Sequence, residues 1–404
     1  MADITRRGLL RGGAAVLGCS AAAFPLTTTV TMASAPWDER LVVLILRGAM
    51  DGLDVVRPVG DPHFAPARAG LFDAAAPGLP LDGFFTLHPS LKPLHPLWGK
   101  GELGVVHAVS TPYRDKRSHF DGQDLLEAGT GMDVSRLAAR DGWLNRMLQT
   151  VGGLEGQTAF AIGRDEMKVL RGKAPVMNWS PDVALDITPQ TRLLLEHVYH
   201  EDPLFRDTAL EAIELAELAE PDTSTERGAA LNARLQEGRS SSMNDLAAFA
   251  ADRLYHDTRI AAFSVPGWDH HRGQAKVMPQ RLELLAEVIE TLRIGLGDAW
   301  SKTTVLAMTE FGRTLRENGT KGTDHGTGGA MLMAGGAIRG GRVLGRWPGL
   351  SESELYDRRD LMPTGDVRAY AAWAMRGLFG LERGVLERSV FPGLDMGSDP
   401  GLLL

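Results

Sequence analysis

Short runs of apolar residues recur along the chain, and each has the length of a buried strand. They lie at 41–46, 103–109, 159–162, 260–265 and 304–308. A strand that is covered on both faces is apolar throughout and need not alternate with polar residues. The runs therefore predict the strands of a mostly parallel sheet.

Helical patterns separate several of these runs, and the clearest helix is predicted at 278–300. Leucines, a valine and isoleucines recur there on one face of the helix. Because this helix joins the runs at 260–265 and 304–308, the three elements predict a right-handed βαβ unit. Alternating strands and helices of this kind are typical of an α/β sandwich.

A charged, helix-rich stretch at 203–256 is broken by polar residues at 221–227 and 238–242. We interpret it as part of a helical insertion, covering about residues 190–256, in a single α/β domain that spans 36–404. The C-terminal residues are rich in glycine and proline and predict an irregular segment with a helix near 367–378.

The first residues carry three parts of an export signal in the expected order. Ile-Thr-Arg-Arg-Gly-Leu-Leu-Arg at 4–11 matches a twin-arginine signal, a mildly apolar stretch follows, and Ala33-Ser34-Ala35 resembles a cleavage site. Residues 1–35 therefore predict a signal peptide that is recognised by the twin-arginine export machinery. The mature protein is then periplasmic or extracellular. Lipidation of Cys19 is a second interpretation and would anchor the protein to a membrane.

The composition of the chain limits which kinds of partner and metal ligand it can use. The chain has 404 residues, a formal net charge of -8 and a single cysteine. An acidic chain without a basic stripe does not favour nucleic-acid binding. No apolar stretch is long enough for a transmembrane helix. With one cysteine near the N-terminus, any metal site must be built from histidine and carboxylate side chains.

Polar side chains follow the predicted strands, at the edge of the sheet where open α/β folds bind ligands. They are Arg47, Asp51, Arg117, Ser118, Asp269, His270, His271, Glu310, Asp324 and His325. Ser118 precedes a predicted helix at 119–128, where the positive end of the helix dipole favours an anion. Carboxylates combined with imidazoles indicate a divalent cation, with Zn or Mn favoured over Mg or Ca.

Each of these residues also has a purely structural interpretation. Asp51 before a glycine can form an Asx turn, and Ser118 can serve only as a helix N-cap. The histidines can be solvated loop residues, and Glu310 can pair with a nearby arginine. The metal hypothesis rests on their joint placement at one edge of the sheet.

The chain resembles the bacterial family called domain of unknown function 1501. The motifs that carry this resemblance are Leu-Arg-Gly-Ala-Met-Asp-Gly-Leu at 46–53, Arg-Ser-His-Phe-Asp at 117–121, Trp-Asp-His-His at 268–271, Thr-Glu-Phe-Gly-Arg-Thr at 309–314 and Gly-Thr-Asp-His-Gly at 322–326. That family is similar, more distantly, to the alkaline phosphatase and sulfatase superfamily. The resemblance implies a three-layer α/β/α sandwich of the alkaline phosphatase type.

The same resemblance implies roles for the matching positions. Asp51 corresponds to the first metal ligand and Ser118 to the nucleophile. Asp269 with His271, or with its rival His270, corresponds to a pair on one metal that His325 completes. A second metal keeps Asp51 and Glu310 but lacks its histidine, because Glu310-Phe311 replaces an Asp-His pair. Asp324 and His119 are candidates for the missing ligand, and an empty second site is the alternative.

The implied activity is hydrolysis of phosphate, phosphonate or sulfate esters, of small molecules or polymers, with one or two divalent cations. Ser118 attacks the phosphorus or sulfur atom, and Arg117 or Arg47 binds the non-reacting oxygens. The alternative is an exported binding or assembly protein that keeps a structural metal. A Gly-x-Ser-x-Gly nucleophile elbow is missing from the sequence, which argues against a serine esterase.

Overall fold

The computed structural model describes residues 35–114, 116–132, 141–152, 154–163, 166–180, 223–237 and 242–404. Nearly all of the predicted signal peptide, with Cys19, lies outside these residues, and so does most of the predicted helical insertion. The described residues cluster into one compact unit.

The strands form a large sheet and a small one. In chain order they are β1 (Arg40–Arg47), β2 (Val56–Arg57), β3 (Leu79–Pro80), β4 (Thr86–Leu87), β5 (Leu103–Ser110), β6 (Ala159–Ile162), β7 (Met177–Trp179), β8 (Ile260–Pro266), β9 (Thr303–Met308), β10 (Gly329–Ala334), β11 (Val343–Leu344) and β12 (Gly365–Asp366).

The α-helices of the described residues are α1 (Gly52–Val55), α2 (Phe64–Ala67), α3 (His95–Gly99), α4 (His119–Ala128), α5 (Trp143–Gln149), α6 (Glu226–Glu237), α7 (Ser242–Tyr255), α8 (Gln274–Leu296), α9 (Val367–Phe379) and α10 (Arg383–Val385). Among these helices, none is both long and apolar enough to cross a bilayer.

The central sheet has the strand order β11-β5-β10-β9-β1-β8-β6-β7, and β12 also pairs with β5. Strand β10 is antiparallel to both of its neighbours, β5 and β9. The other pairings in this sheet are parallel. Strands β2, β4 and β3 form a separate three-stranded sheet.

Helices cover both faces of the central sheet, because β1 sends alternate side chains into two different cores. Val42, Leu44 and Leu46 pack with residues of α7 and α8. Leu41, Val43 and Ile45 pack with residues of α5 and α9. The fold is therefore an α/β/α sandwich with a mostly parallel sheet, which confirms the predicted fold class.

The predicted βαβ unit is present as β8, α8 and β9, and the two strands lie on either side of β1. Strand β10 was not predicted from the sequence. Its six residues are apolar and buried like those of the predicted strands, and it differs from them in its antiparallel direction.

The described part of the segment 190–256 packs closely on the sandwich through α6 and α7. A Cβ atom at Gly295 of α8 would lie 2.6 Å from the Cβ of Ala251 in α7. It would also lie 3.2 Å from a methyl carbon of Leu231 in α6. The missing side chain at Gly295 thus allows three helices to approach one another.

Two buried histidines make the fold sensitive to acid. The Nε2 atom of His107 donates to the carbonyl of Val56 (2.9 Å), and its Nδ1 accepts from the Ala108 amide (2.9 Å). Both ring nitrogens of His107 are therefore hydrogen-bonded when the ring is neutral. A second proton would have to sit on Nδ1, where it would point at the N–H of Ala108. Burial lowers the pKa of His107 from 6.5 to about 4, and burial has the same effect on His88.

We expect the free energy of unfolding to fall as the pH drops from about 6.5 to about 4. Between these pH values the histidine binds a proton in the unfolded chain but stays neutral in the folded state. His107 alone therefore lowers the free energy of unfolding by about 3 kcal/mol over this interval. Urea unfolding at about pH 7.5 and about pH 4.5 measures the loss. The variant His107→Gln should lose less than the wild type over this interval. Equal losses in both proteins would contradict the assignment.

Candidate metal centre

The carboxyl ends of β1, β8 and β9 meet at one edge of the sheet, because the three strands are neighbours and parallel. Asp269 and His271 follow β8, and Glu310 follows β9. Strand β10 runs in the opposite direction, so the loop before it, which carries His325, lies at the same edge. The topology therefore collects residues that are far apart in the chain.

Asp269 is the centre of a group of three histidines. Its Oδ1 atom lies 3.0 Å from Nε2 of His271 and 3.2 Å from Nε2 of His325. Its Oδ2 atom lies 3.4 Å from Nε2 of His119. The Nε2 atoms of His271 and His325 are 2.9 Å apart. His119, Asp269 and His325 place their ligand atoms within 4.8 Å of one another.

The other ring nitrogen of each histidine contacts a hydrogen-bond acceptor. Nδ1 of His119 lies 2.8 Å from the Glu310 carboxylate. Nδ1 of His271 lies 2.9 Å from the Asp324 carboxylate, and Nδ1 of His325 lies 2.7 Å from the carbonyl oxygen of Arg117. Each Nδ1 must therefore carry the proton and donate it. In the neutral rings, each Nε2 then has a lone pair.

These lone pairs converge on a carboxylate, which is unfavourable without a positive charge between them. The Nε2 atom of His119 is buried and has no hydrogen-bond partner among the described residues. Ligand atoms about 2.0–2.1 Å from one tetrahedral Zn ion are separated by about 3.3 Å. The separations around Asp269 are close to this value. His119, Asp269 and His325 form a group that could hold one divalent cation, and His271 contacts Asp269 and His325 beside it. Histidines oriented by carboxylates and a carbonyl are the usual surroundings of such an ion.

The charge states agree with this arrangement. Partial burial raises the pKa of Asp269, but the hydrogen bond and charge of Arg313 outweigh it and lower this pKa to about 2. Burial lowers the pKa of His325, which keeps its ring neutral. The hydrogen bond that His119 donates to Glu310 raises the pKa of His119. A raised pKa favours a positive charge on this ring when no cation is bound.

Glu310, predicted as a ligand, is fully buried and accepts four hydrogen bonds. Its Oε1 atom accepts from the Gly48 amide, His119 and Gln123, and its Oε2 atom accepts from Thr309. Burial raises the pKa of Glu310, but these hydrogen bonds lower it by more, so the net pKa is below its ordinary value. The bond donated by His119 has the largest lowering effect. The structure therefore gives Glu310 the geometry of a group that orients His119.

Asp51, also predicted as a ligand, forms a buried ion pair. Its two carboxylate oxygens accept from Arg68 at 2.5 and 3.1 Å, and Gln274 donates to one of them at 2.6 Å. Burial raises its pKa, but the charge of Arg68 dominates the lowering effects and the net pKa is below the ordinary value. Arg68 also donates to the carbonyls of Thr314 and Leu315. Both oxygens of Asp51 are thus engaged by donors of the protein.

The two arginines predicted to bind substrate are engaged in ion pairs. Arg117 contacts Asp360 at 3.1 Å and Asp357 at 3.3 Å. Arg47 contacts Glu127 at 2.8 Å and donates to Gln123 at 3.0 Å. Arg117 still takes part in the site, because its carbonyl oxygen orients His325.

Ser118 is the N-cap of α4, and its Oγ accepts from the amide of Asp121 at 3.4 Å. It lies between Arg117, whose carbonyl contacts His325, and His119, which contacts Asp269. Arg117 has a left-handed backbone with φ of 48°, which is unfavourable for a residue with a side chain. Ser118 is therefore flanked in the chain by two residues that contact the histidine group, and it lies at the positive end of a helix.

Of the two adjacent histidines, His271 contacts Asp269 and Asp324. His270 is buried, and burial lowers its pKa. The geometry favours His271 over its rival as the ligand. Asp324, predicted as a ligand, accepts from both His271 and Asn318 and has the position of an orienting group.

The family described as "Protein of unknown function (DUF1501)" matches residues 105–369, a span that contains Ser118 and all four residues around the proposed cation. The chain belongs to this family. Among curated proteins, none matches the chain.

Solved structures with low similarity include two of the C-terminal periplasmic domain of EcEptC from Escherichia coli. The first has 11% identity and a TM-score of 0.37, covering 92% of this chain and 95% of that one. The second, a complex with Zn, has 11% identity and a TM-score of 0.35, with coverages of 90% and 92%. A protein in the alkaline phosphatase superfamily from Vibrio parahaemolyticus has 13% identity and a TM-score of 0.29, with coverages of 77% and 65%.

For this member of the DUF1501 family, the sequence offered Arg313 only the structural role of an ion-pair partner for Glu310, and the structure pairs it with Asp269. Its fully buried guanidinium donates to Asp269 at 2.7 Å and also to the hydroxyl and carbonyl of Thr323. The phenyl ring of Phe311 stacks on His119, with centroids 5.3 Å apart. In the sequence, only their positions in the Glu-Phe-Gly-Arg motif after β9 connect Phe311 and Arg313 with the site.

Proposed function

We propose that this protein is a hydrolase that binds one divalent cation and cleaves phosphate, phosphonate or sulfate esters through Ser118. The observation that carries the proposal is the convergence of three imidazole lone pairs on Asp269, with every Nδ1 proton already donated elsewhere. Three imidazoles and a carboxylate suit Zn best among common divalent ions, and Mn next.

The number of cations follows from how the remaining carboxylates are used. The two oxygens of Asp51 accept from Arg68 and Gln274, and those of Glu310 accept from four donors. A second ion would have to displace these partners and leave Arg68 buried without a counter-charge, which is costly. We therefore propose one ion per chain, although the superfamily resemblance allows two.

The chemistry divides between the cation and the chain. A bound divalent cation would act as a Lewis acid that stabilises negative charge on the reacting oxygens. The hydroxyl oxygen of Ser118 would bond to phosphorus or sulfur as the bond to the substrate's alcohol breaks, and the serine proton would leave with that alcohol. Water would then hydrolyse the ester on Ser118 and restore the hydroxyl. The N-terminus of α4 presents the positive end of the helix dipole to the anionic group. Side chains around the centre are partly open to solvent, since Asp269 and His271 are each 43% exposed, so a substrate can reach them.

A second candidate function is an exported binding or assembly protein that retains a structural cation. The ion pairs of Arg47 and Arg117 favour it, because these arginines would have to leave their carboxylates to bind a substrate anion. In either case we propose export through the twin-arginine machinery, on the basis of residues 1–35, with lipidation of Cys19 as the alternative fate.

Elemental analysis of the purified protein, paired with a hydrolysis screen, tests the proposal. We expect about one Zn or Mn ion per chain, turnover of at least one aryl phosphate, phosphodiester, phosphonate or sulfate ester, and loss of turnover after chelation. One ion without turnover of any ester favours the binding protein. Two ions per chain would exclude the single-cation arrangement.

A further inference from the structure

One peptide group beside the metal centre is hydrogen-bonded to side chains at both of its ends. This peptide group joins Arg117 and Ser118. Its carbonyl oxygen accepts from Nδ1 of His325 at 2.7 Å, and its N–H donates to the hydroxyl oxygen of Tyr113 at 2.9 Å. The direction of the peptide plane therefore affects both the ring of His325 and the entry of the chain into α4.

The backbone does not hold this direction by itself. Arg117 has a φ of 48°, in the left-handed region, where the Cβ atom crowds the backbone. Relaxation of Arg117 to a negative φ would turn the peptide plane and break its two hydrogen bonds. The strained conformation is therefore kept by its contacts, and the bonds to His325 and Tyr113 act directly on the peptide group.

Tyr113 is itself held in a fixed position. It is only 5% exposed, and its ring stacks on Phe311 with centroids 6.2 Å apart. Phe311 also stacks on His119. The amide of Tyr113 donates to the hydroxyl of Thr111 (3.3 Å), and that hydroxyl donates to the carbonyl of Glu310 (3.3 Å). The hydroxyl of Tyr113 is therefore a rigidly placed acceptor, tied to the segment that carries Glu310 and Phe311.

We propose that Tyr113 is a positioning residue that acts through this peptide group. Its hydroxyl orients His325 through the carbonyl end and Ser118 through the N–H end, and the roles of these two residues rest on the proposed function. With the carbonyl directed at Nδ1, the ring of His325 keeps its proton there and leaves Nε2 free for a cation. Tyr113 is buried, so it acts through these residues and does not contact the ester.

The test compares Tyr113→Phe with Tyr255→Phe. The first change removes one hydroxyl and keeps the ring that stacks on Phe311. The second removes a hydroxyl at the end of α7, just before β8 begins and therefore at the opposite edge of the sheet. The zinc affinity of each full-length protein is measured by competition with a chelator. We expect Tyr113→Phe to weaken zinc binding by about 10–100-fold, and Tyr255→Phe to stay within about twofold of the wild type.

Two further measurements separate a positioning role from a general loss of stability. With saturating zinc, kcat on the best ester of the screen should fall by about 10–100-fold in Tyr113→Phe, because the Ser118 hydroxyl is displaced, while KM stays within about threefold. Nitrogen NMR of the histidine rings, with the His325 signals assigned from His325→Gln, should show that the Nδ1 proton of His325 loses its fixed position in Tyr113→Phe. The signals of His107, which is bonded to Val56, should not change.

Zinc affinity and His325 signals that equal those of the wild type in Tyr113→Phe would overturn the inference, and so would an equal loss of affinity in Tyr255→Phe. Failure of the proposed function has a different signature. A wild type that binds zinc but hydrolyses no ester contradicts only the hydrolase, since the zinc affinity and the NMR signals still report on Tyr113. A wild type that binds no zinc contradicts the proposed metal centre, and unchanged His325 signals in Tyr113→Phe would then refute the inference as well.

Discussion

Replacing Asp269 with asparagine is expected to abolish binding of the divalent cation, lowering affinity by more than about 100-fold. Asp269 is the only carboxylate among the described residues that contacts Nε2 of three histidines. The amide removes the negative charge and places a weaker ligand among these nitrogens. Competition with a chelator of known affinity, followed by elemental analysis, measures the effect.

Asp324→Asn is the matched control for this prediction. Asp324 contacts Nδ1 of His271 and only orients that ring. Loss of an orienting group typically weakens metal binding by about 10–100-fold, which is less than the loss of a ligand. If Asp269→Asn retained one tightly held ion, or if Asp324→Asn were the more damaging change, the proposed ligand set would be wrong.

Ser118→Ala is expected to lower turnover by about 1,000-fold or more while the cation stays bound. The change removes the hydroxyl proposed to attack the ester but none of the four side chains around the cation. Initial rates on the best ester, together with the metal content, measure both effects. Trapping of a phosphorylated or sulfated serine in the wild type, by mass spectrometry, provides a direct check.

Ser118 is also the N-cap of α4, so its loss affects stability as well as chemistry. Alanine at an N-cap costs about 0.5–2 kcal/mol, whereas glycine costs only a few tenths. Ser118→Gly therefore separates the two roles, because it should be almost as stable as the wild type and as inactive as Ser118→Ala. Turnover that survives in both variants would exclude a serine ester intermediate.

Much of the fold was predictable because its central strands are covered on both faces. The run at 159–162 matches β6, and β1, β5, β8 and β9 extend their predicted runs by one or two residues. The helix predicted at 119–128 coincides with α4, since Ser118 and Gly129 cap its two ends. The antiparallel direction of β10 was not predictable in this way, because a short apolar run does not show in which direction its strand runs.

The site was predictable only to the level of which residues gather at one edge. Parallel strand ends predicted that Asp269, His271 and His325 would meet, and the structure brings them into contact. Hydrogen-bond partners were not visible in the pattern. The burial of Asp51 against Arg68, which lies on the loop after α2, depends on a tertiary approach that no local spacing specifies. The contact between Glu310 and the ring of His119 likewise depends on a tertiary approach that local spacing does not specify.

The position of β1 in the middle of the sheet has a consequence for how the chain folds. Leu41 pairs with Ile260 on one side and with Thr304 on the other. Strand β1 is therefore made early, can pair with β8 only after residue 266 has been synthesised, and keeps one open edge until the chain has been synthesised through β9. Closing such long loops is slow, and an open apolar edge invites association with other chains. We expect fragments that stop before β9 to aggregate, and nascent chains to depend on chaperones until β1 is enclosed.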